Sequence, residues 1–135
     1  MLERLDLSSI NMLAVLAAAG AMLFAGWFWY LPKVFGDPWS NLVRQDRRPS
    51  RRWLWVGLVG HLLAALVLAI LVHLAHATTV VEGLFVAVLV WLGFVVTPEI
   101  NRVVWEKIPF NLLMVRTGNY LIGFGLAGIL LAVWR

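Results

Sequence analysis

Four polar side chains inside long apolar stretches are the residues of this sequence most able to do chemistry. They are His61, Trp91, Asn119 and Tyr120. We expect them at about the same depth within their stretches. Polar groups placed deep in an apolar environment are costly and often functional. They also commonly bond across neighbouring helices. Two interpretations are therefore open: a ligand site, or a hydrogen-bonded layer that fixes helix register.

A second polar group is expected near the outer ends of the stretches, where His73, His76 and Glu82 emerge. Two histidines and a carboxylate would suit a metal ion or a proton. However, Thr79 and Glu82 have the spacing of a capping box, in which each side chain bonds the backbone N–H of the other residue. The sequence therefore predicts a structural role for Thr79 and Glu82, with the His73/His76/Glu82 metal site as the alternative.

The sequence contains none of the catalytic motifs that we looked for. We find no nucleophile–base pair, no metalloprotease helix and no phosphate-binding loop. The absence of cysteine excludes disulfides and thiolate chemistry. We therefore expect that the protein is not an enzyme.

A haem held between two histidines of one chain is not expected. His61 and His73 are twelve residues apart on one predicted helix, and no other stretch supplies a histidine. A single histidine is nevertheless able to ligate a haem iron or a chlorin magnesium. We expect no cofactor, with a haem or chlorin contact through His61 as the open alternative.

Four long apolar stretches must position these residues, at about 7–30, 53–76, 79–97 and 111–134. Each is close to the ~20 residues that a helix needs to cross ~30 Å of hydrocarbon. With 62% hydrophobic and 13% charged residues, the chain does not resemble a soluble domain. The sequence predicts an all-α, polytopic membrane protein, a single domain over 1–135 with four transmembrane helices in an antiparallel bundle.

Positive charge is concentrated in the two segments that follow the first and third stretches. The first segment contains the arginines of 44–52, and the second contains Arg102 and Lys107. Because Lys and Arg near span ends are retained in the cytoplasm, both segments should be cytoplasmic and both termini periplasmic in a bacterial inner membrane. We expect 44–52 to contact anionic lipid headgroups and expect no nucleic-acid partner.

The same two segments are predicted to contain short interfacial helices. Asp37-Pro38 has the pattern of an N-cap followed by proline in the first turn, and Thr97-Pro98 has a similar pattern. In addition, Asn111 is expected to cap the last span.

One charged residue, Arg116, lies inside the last stretch. It is expected either to extend its head to the cytoplasmic face or to pair with Glu99 across the hairpin, so both residues are assigned structural roles.

Helix packing is predicted from small residues, because membrane helices approach closely where side chains are small. The candidate packing positions are Ala21, Gly57, Ala65, Ala69, Gly93 and Gly123. They indicate either the interior of the bundle or a dedicated surface for other subunits.

Residues 26–39 read Gly-Trp-Phe-Trp-Tyr-Leu-Pro-Lys-Val-Phe-Gly-Asp-Pro-Trp. This run resembles the Trp-Tyr-x-Pro-x-x-Phe-Gly-x-x-Trp signature that ends the first helix in the small bacterial membrane proteins grouped as domain of unknown function 1761. The similarity continues in 82–84, 90–94 and 118–130. The resemblance implies a four-helix integral membrane protein and supplies no activity.

Because the chain has so little mass outside its apolar stretches, lipid, pigment or other helices are its available partners. We therefore expect a non-catalytic accessory or structural subunit of a larger bacterial membrane complex. The alternative is a small binding or transport protein that handles an apolar, pigment-like or cationic ligand through the layer at His61 and Asn119.

Overall fold

The computed structural model describes residues 6–43 and 50–135 and shows only helices and short turns in these ranges. Four helices of the described part are long and apolar enough to cross a membrane. These are Met12–Trp29, Arg51–Leu74, Val80–Trp105 and Phe110–Val133. The prediction of an all-helical protein with four such segments is confirmed.

The described residues form six α-helices, numbered in chain order. They are α1 (Met12–Trp29), α2 (Asp37–Val43), α3 (Arg51–Leu74), α4 (Val80–Trp91), α5 (Thr97–Trp105) and α6 (Phe110–Val133). A 3₁₀ turn, Leu7–Ser9, precedes α1, and five-residue π-helical turns, Pro32–Gly36 and Leu92–Val96, precede α2 and α5.

The first span begins later than the sequence predicts, because Asn11 ends the preceding segment and caps α1. Its side-chain oxygen accepts hydrogen bonds from the N–H groups of Leu13 at 3.0 Å and Ala14 at 3.2 Å. These are two of the donors that the first turn of a helix leaves without a backbone partner. Residues 7–9 therefore stand outside the span as a separate turn.

The third span continues beyond residue 97, where the sequence predicts its end. The π-helical turn Leu92–Val96 connects α4 directly to α5, and the Thr97 hydroxyl donates to the Leu92 carbonyl oxygen at 3.2 Å. Pro98 has no N–H to donate, and the wider turn before it keeps the backbone helical instead of breaking it. The continuous span of 26 residues measures about 39 Å at ~1.5 Å per residue.

Two predicted caps are wrong for local reasons. Asp37 is not an N-cap, because its φ of −66° and ψ of −49° are already helical and the chain turns helical from Pro32 onward. Asn111 lies within the first turn of α6, whose N-cap position is Pro109. Pro32 is the first helical residue of its turn, and Pro109 takes the N-cap position of α6 with extended backbone, so each candidate cap lies inside a helix that has already begun.

The bundle has two ends, the basic end and the turn end. The basic end carries the C-terminal ends of α1 and α5 and the starts of α3 and α6, and the turn end carries the link between α3 and α4. At the turn end only residues 75–79 separate those two helices. The tight turn agrees with the sequence, but beyond it α4 packs chiefly on α6 and hardly touches α3.

Helix α6 is the centre of the bundle and packs against α1 on one flank. Met22 of α1 lies beside Gly123, and the Trp29 indole N–H donates to the Val115 carbonyl oxygen at 2.9 Å. As the residue number rises along α1 it falls along α6, so these two helices run in opposite directions.

The other flank of α6 packs against α4 in the same opposed sense. Gly83 meets Gly128 near the turn end, and the Trp91 indole N–H donates to the Thr117 carbonyl oxygen at 2.7 Å nearer the basic end.

Helix α3 joins the core only in its second half. Its first buried residue is Ala65, followed by Leu68, Ala69 and Val72. In contrast, Arg51–Gly60 consists of exposed residues except for the half-buried Leu58. The helix therefore separates from α1 and α6 towards the basic end and leaves a wedge-shaped opening beside them.

Candidate functional site

The capping box predicted at the turn end is present. The Thr79 hydroxyl accepts from the Glu82 N–H at 3.2 Å, and the Glu82 carboxylate accepts from the N–H groups of Thr79 at 3.0 Å and Thr78 at 2.7 Å. The carboxylate thus serves three local donors, because Thr78 also contributes its hydroxyl. The Glu82 carboxylate therefore caps the start of α4.

The structure does not bring His73, His76 and Glu82 together as a metal site. No group of three His, Cys, Asp or Glu residues in the described part could hold a metal ion. His76 has a φ of 53°, and the following Ala77 N–H donates to the Val72 carbonyl oxygen at 3.1 Å. This is a Schellman-type end of α3, so His76 occupies the left-handed turn position that glycine usually takes.

His73 meets Ser9 instead, in a hollow of about 180 Å³ between the start of α1 and the ends of α3 and α6. The Ser9 hydroxyl oxygen lies 3.3 Å from His73 Nε2 and 2.6 Å from the Asp6 carbonyl oxygen. A carbonyl only accepts, so the single serine proton points to Asp6 and the histidine donates to the serine oxygen. This is not the arrangement of a base that activates a serine.

The aromatic residues of 26–39 form a compact cluster at the basic end. Trp29 stacks on Phe35 with 4.2 Å between ring centroids, while its indole N–H bonds α6. A Cβ atom at Gly118 would lie 2.8 Å from the Trp29 ring, so this glycine is what allows the indole to lie flat against α6. The sequence pattern contains these residues, but their shared contact with α6 is visible only in the structure.

The remaining residues of the signature shape the turn itself. Pro32 occupies the first position of the π-helical turn after Leu31. At Gly36 a Cβ atom would lie 2.9 Å from the Leu31 carbonyl carbon, so any side chain there is excluded. Tyr30 packs edge-on against Trp39, with 5.5 Å between ring centroids. The Pro, Phe, Gly and Trp of the signature therefore build one turn that returns the chain against α1 and α6.

An ion-pair cluster adjoins this aromatic cluster. Arg116 Nη2 lies 3.2 Å from Glu99 Oε1, so α5 and α6 are joined by the pairing that is one of the two sequence-based alternatives for Arg116. Arg102 lies 3.3 Å from Glu99 and 2.9 Å from Glu106. Two arginines and two glutamates thus balance each other's charge. The Glu99 side chain is only 14% exposed, which makes it the centre of the cluster.

Tyr30 links the aromatic and the charged clusters, a role that the sequence does not reveal. Burial raises the pKa of its phenol above the usual value near 10, and Tyr120 and Glu99 nearby raise it further to a smaller extent. The positive charge of Arg116 and the Asn119 side chain act in the opposite direction. The phenol therefore stays protonated over the ordinary pH range and serves as a neutral hydrogen-bonding group.

The four polar residues predicted to form one layer are separated by the fold. Trp91 bonds the Thr117 backbone, and Asn119 faces α1, where its Oδ1 is 3.7 Å from the place a Cβ would take at Gly26. Only His61 and Tyr120 line a common space. The helices are rotated so that Trp91 bonds the backbone of α6 and Asn119 faces α1 inside the bundle.

His61 and Tyr120 line the apex of the wedge between α1, α3 and α6, a hollow of about 250 Å³. Its other lining residues are Met22, Gly57, Gly60, Ala64 and Phe124. The His61 Nδ1 atom lies 2.7 Å from the Gly57 carbonyl oxygen. Because a carbonyl cannot donate, Nδ1 is the donor in this bond, and in the Nδ1-protonated neutral tautomer Nε2 keeps its lone pair.

The predicted packing residues divide into two groups. Ala65 and Ala69 are buried in the core, Ala21 is half-buried, and Gly123 contacts Met22. By contrast, no atom beyond the adjacent helix backbone lies within 4 Å of a Cβ built at Gly57 or Gly93, and the same holds for Gly60, which is not among the predicted positions. The first group explains the interior of the bundle, whereas the second is not explained by packing within the described residues.

The predicted headgroup-binding segment 44–52 lies mostly outside the described residues, which resume at Ser50. Arg51 and Arg52 are exposed at the start of α3, and Trp53 and Trp55 next to them are 65% and 68% exposed.

Comparison with known proteins gives one match. No curated protein and no solved structure matches the chain. A family model described as "Protein of unknown function (DUF1761)" matches residues 13–132, which include all of the four apolar helices except a terminal residue or so. The chain belongs to this family, DUF1761.

Proposed function

We propose that this chain is a non-catalytic membrane protein that serves as an accessory subunit of a larger bacterial membrane complex. The observation that carries the proposal is the wedge beside α3. Along Arg51–Gly60 this helix contributes no buried side chain, yet it contains Gly57 and Gly60. A glycine in a helix costs about 1 kcal/mol relative to alanine. No atom beyond the adjacent backbone of α3 lies within 4 Å of a Cβ built at either glycine, so close packing against another described helix does not account for them.

A helix from another subunit would explain both glycines. Membrane helices associate closely where small residues let their backbones approach. Gly57, Gly60 and Ala64 follow one another at spacings of three and four, so they lie on one face of α3. The wedge that this face borders is open to the side. We therefore assign it to an apolar helix of a partner subunit.

The charge pattern supports one orientation for this assembly. Arg51, Arg52 and Lys107 are exposed at the basic end. The basic end is thus proposed to face the cytoplasm of a bacterial inner membrane, with both termini periplasmic. α2 and α5 are proposed to lie in the interface there. A reporter that is active only in the cytoplasm should give no signal when it is fused after Arg135 and a signal when it is inserted near Arg48. The reverse pattern would overturn the orientation.

The accessory role is tested by extraction in mild detergent, followed by size measurement and identification of co-migrating proteins. Gly57→Leu and Gly60→Leu should release the chain from a larger particle, because the added side chains fill the space that the partner backbone needs. Val59→Leu is the matched control, since Val59 is 54% exposed on the same helix, is not at the three- or four-residue spacing of Gly57, Gly60 and Ala64, and does not line the hollow. A wild-type chain that runs alone, or glycine variants that stay in the particle, would contradict the proposal.

A ligand-handling protein is the second candidate function, and the hollow beside His61 and Tyr120 is the observation that favours it. The hollow differs from the polar layer predicted from the sequence, since Asn119 and Trp91 do not line it. If the protein handles a ligand, His61→Leu should remove the bound small molecule while the particle stays intact. If the wedge only binds a partner helix, His61→Leu should change neither the particle nor its contents.

A further inference from the structure

We propose that His61 Nε2 is the axial ligand for the metal of a flat, apolar tetrapyrrole held in the wedge, of the haem or magnesium-chlorin class. The inference gives the second candidate function a chemical identity. A macrocycle over His61 would occupy the face formed by Gly57, Gly60 and Ala64, so this inference excludes direct docking of a partner helix on that face.

The histidine is already arranged as a metal ligand. Its Nδ1–H is anchored on the Gly57 carbonyl oxygen at 2.7 Å. Metal-binding histidines almost always donate their second ring N–H to such a group, which fixes the tautomer and the ring orientation. No described residue forms a hydrogen bond with Nε2, and the ring borders the hollow. In the Nδ1-protonated tautomer the lone pair on Nε2 is therefore available to a Lewis acid.

The number of ligands selects the class of metal compound. A bare ion such as zinc needs three or four protein ligands. The described residues contain no group of three His, Cys, Asp or Glu that could supply them. A tetrapyrrole brings four nitrogen ligands in its own ring and needs only one axial donor from the protein, as in proximal-histidine haem proteins. One histidine with a free Nε2 meets that requirement.

The hollow beside His61 is mostly apolar and accommodates the part of a macrocycle nearest its metal. Gly57, Gly60 and Ala64 flank the histidine on the hollow, so no long side chain of α3 obstructs a ring that approaches Nε2. Met22 and Phe124 supply apolar wall. The hollow of about 250 Å³ is open on one side, where the rest of the ring would lie against lipid or a partner helix.

Depth agrees with this assignment. His61 lies ten residues from Arg51, the first residue of α3. At ~1.5 Å per residue this is about 15 Å, half of the ~30 Å hydrocarbon thickness. An apolar macrocycle is soluble at that depth.

The test is a titration of the detergent-solubilised protein with haem b, and separately with a magnesium chlorin, followed by absorption spectroscopy. We expect saturable one-to-one binding of at least one probe, with the spectrum of a histidine-ligated metal. His61→Ala should weaken that binding by about tenfold or more, as loss of the axial bond requires. His73→Ala and His76→Ala are matched controls that remove the other two histidines and should bind as the wild type does.

A cavity variant guards against a change that only disturbs the fold. His61→Gly should lose the ligated spectrum and regain it when imidazole is added, because imidazole can replace the missing side chain. The proposal is overturned if neither probe saturates, if His61→Ala binds as tightly as the wild type, or if imidazole fails to restore the spectrum. Release of partner subunits is measured by the particle size of Gly57→Leu. Tetrapyrrole binding is measured separately, by the absorption spectrum of His61→Ala. The two proposals can therefore fail separately.

Discussion

Gly83 and Gly128 bring α4 and α6 into direct backbone contact. A Cβ atom at Gly83 would collide with the Gly128 carbonyl oxygen and lie 2.6 Å from the Ala132 Cβ, and one at Gly128 would lie 2.7 Å from the Ala87 Cβ. Because α4 rests chiefly on α6, this crossing holds the third span in the bundle. Small residues on both helices are what makes so close a crossing possible.

We therefore expect Gly83→Ala and Gly128→Ala each to lower the free energy of unfolding by about 1–3 kcal/mol, the usual effect of overpacking. Gly20→Ala is the control, since a Cβ there meets no atom within 4 Å. Its effect should be within about 1 kcal/mol and stabilising, because alanine is the better helix former. The free energy of unfolding of each variant is measured from the loss of helical circular dichroism during denaturation in detergent. Equal effects at the three positions would contradict the described crossing.

The capping role of Glu82 predicts a graded response to substitution. Glu82→Gln should keep most of the stability, because the amide oxygen can still accept from the Thr78 and Thr79 N–H groups. Glu82→Ala removes the acceptor and should be the less stable of the two in the same denaturation experiment. Complete loss of function in a normally inserted Glu82→Gln protein would show that the charge itself matters, and would restore the turn-end site as a candidate.

The Glu99–Arg116 pair should be energetically coupled. Glu99→Gln, Arg116→Met and the double variant form a cycle in which the coupling energy is expected at about 0.5–3 kcal/mol, as for contacting residues. Arg102 and Glu106 provide a comparison, because Glu106 is 55% exposed and solvent screens that pair. Their coupling should be about 0.5 kcal/mol or less. A coupling near zero for Glu99 and Arg116 would mean that the pair does not join α5 to α6.

The half-buried phenol of Tyr30 is expected to ionise at a higher pH than a free tyrosine. In a Tyr120→Phe background Tyr30 is the one remaining tyrosine, so the tyrosinate absorbance reports it alone. Since burial raises its pKa, the midpoint should lie above the usual value near 10. The sign follows from linkage: the neutral phenol contributes its full stabilisation below pH 10, and that contribution falls as the pH rises through the higher folded-state pKa. Detergent-unfolded protein should titrate near 10, and an equal midpoint in folded protein would contradict the burial.

Local features of the sequence were sufficient for the four spans and for the capping box. Span length follows from the thickness of hydrocarbon, and the box depends on residues three apart, so neither needs knowledge of the fold. The errors were local as well. Asp37 and Asn111 have the composition of caps, but the helical conformation begins before them, at Pro32 and at Phe110. At Pro98 a π-helical turn absorbs the missing N–H, so the predicted break does not occur.

The candidate site depended on tertiary structure. A sequence gives the depth of His61, Trp91, Asn119 and Tyr120, but it does not give the rotation of each helix about its axis. That rotation turns Trp91 and Asn119 towards neighbouring helices and leaves His61 with Tyr120 at the wedge.

The sequence by itself determined that the chain is an all-helical membrane protein with charge at one end, because hydrophobic length and charge position act residue by residue. Only the tertiary structure decided which small residues touch. Gly83 and Gly128 meet across two helices, while Gly57 and Gly60 face open space. The physical reason is that helix tilt and rotation are set by the sum of many side-chain contacts between distant segments, and the tilt of α3 away from α1 and α6 opens the wedge.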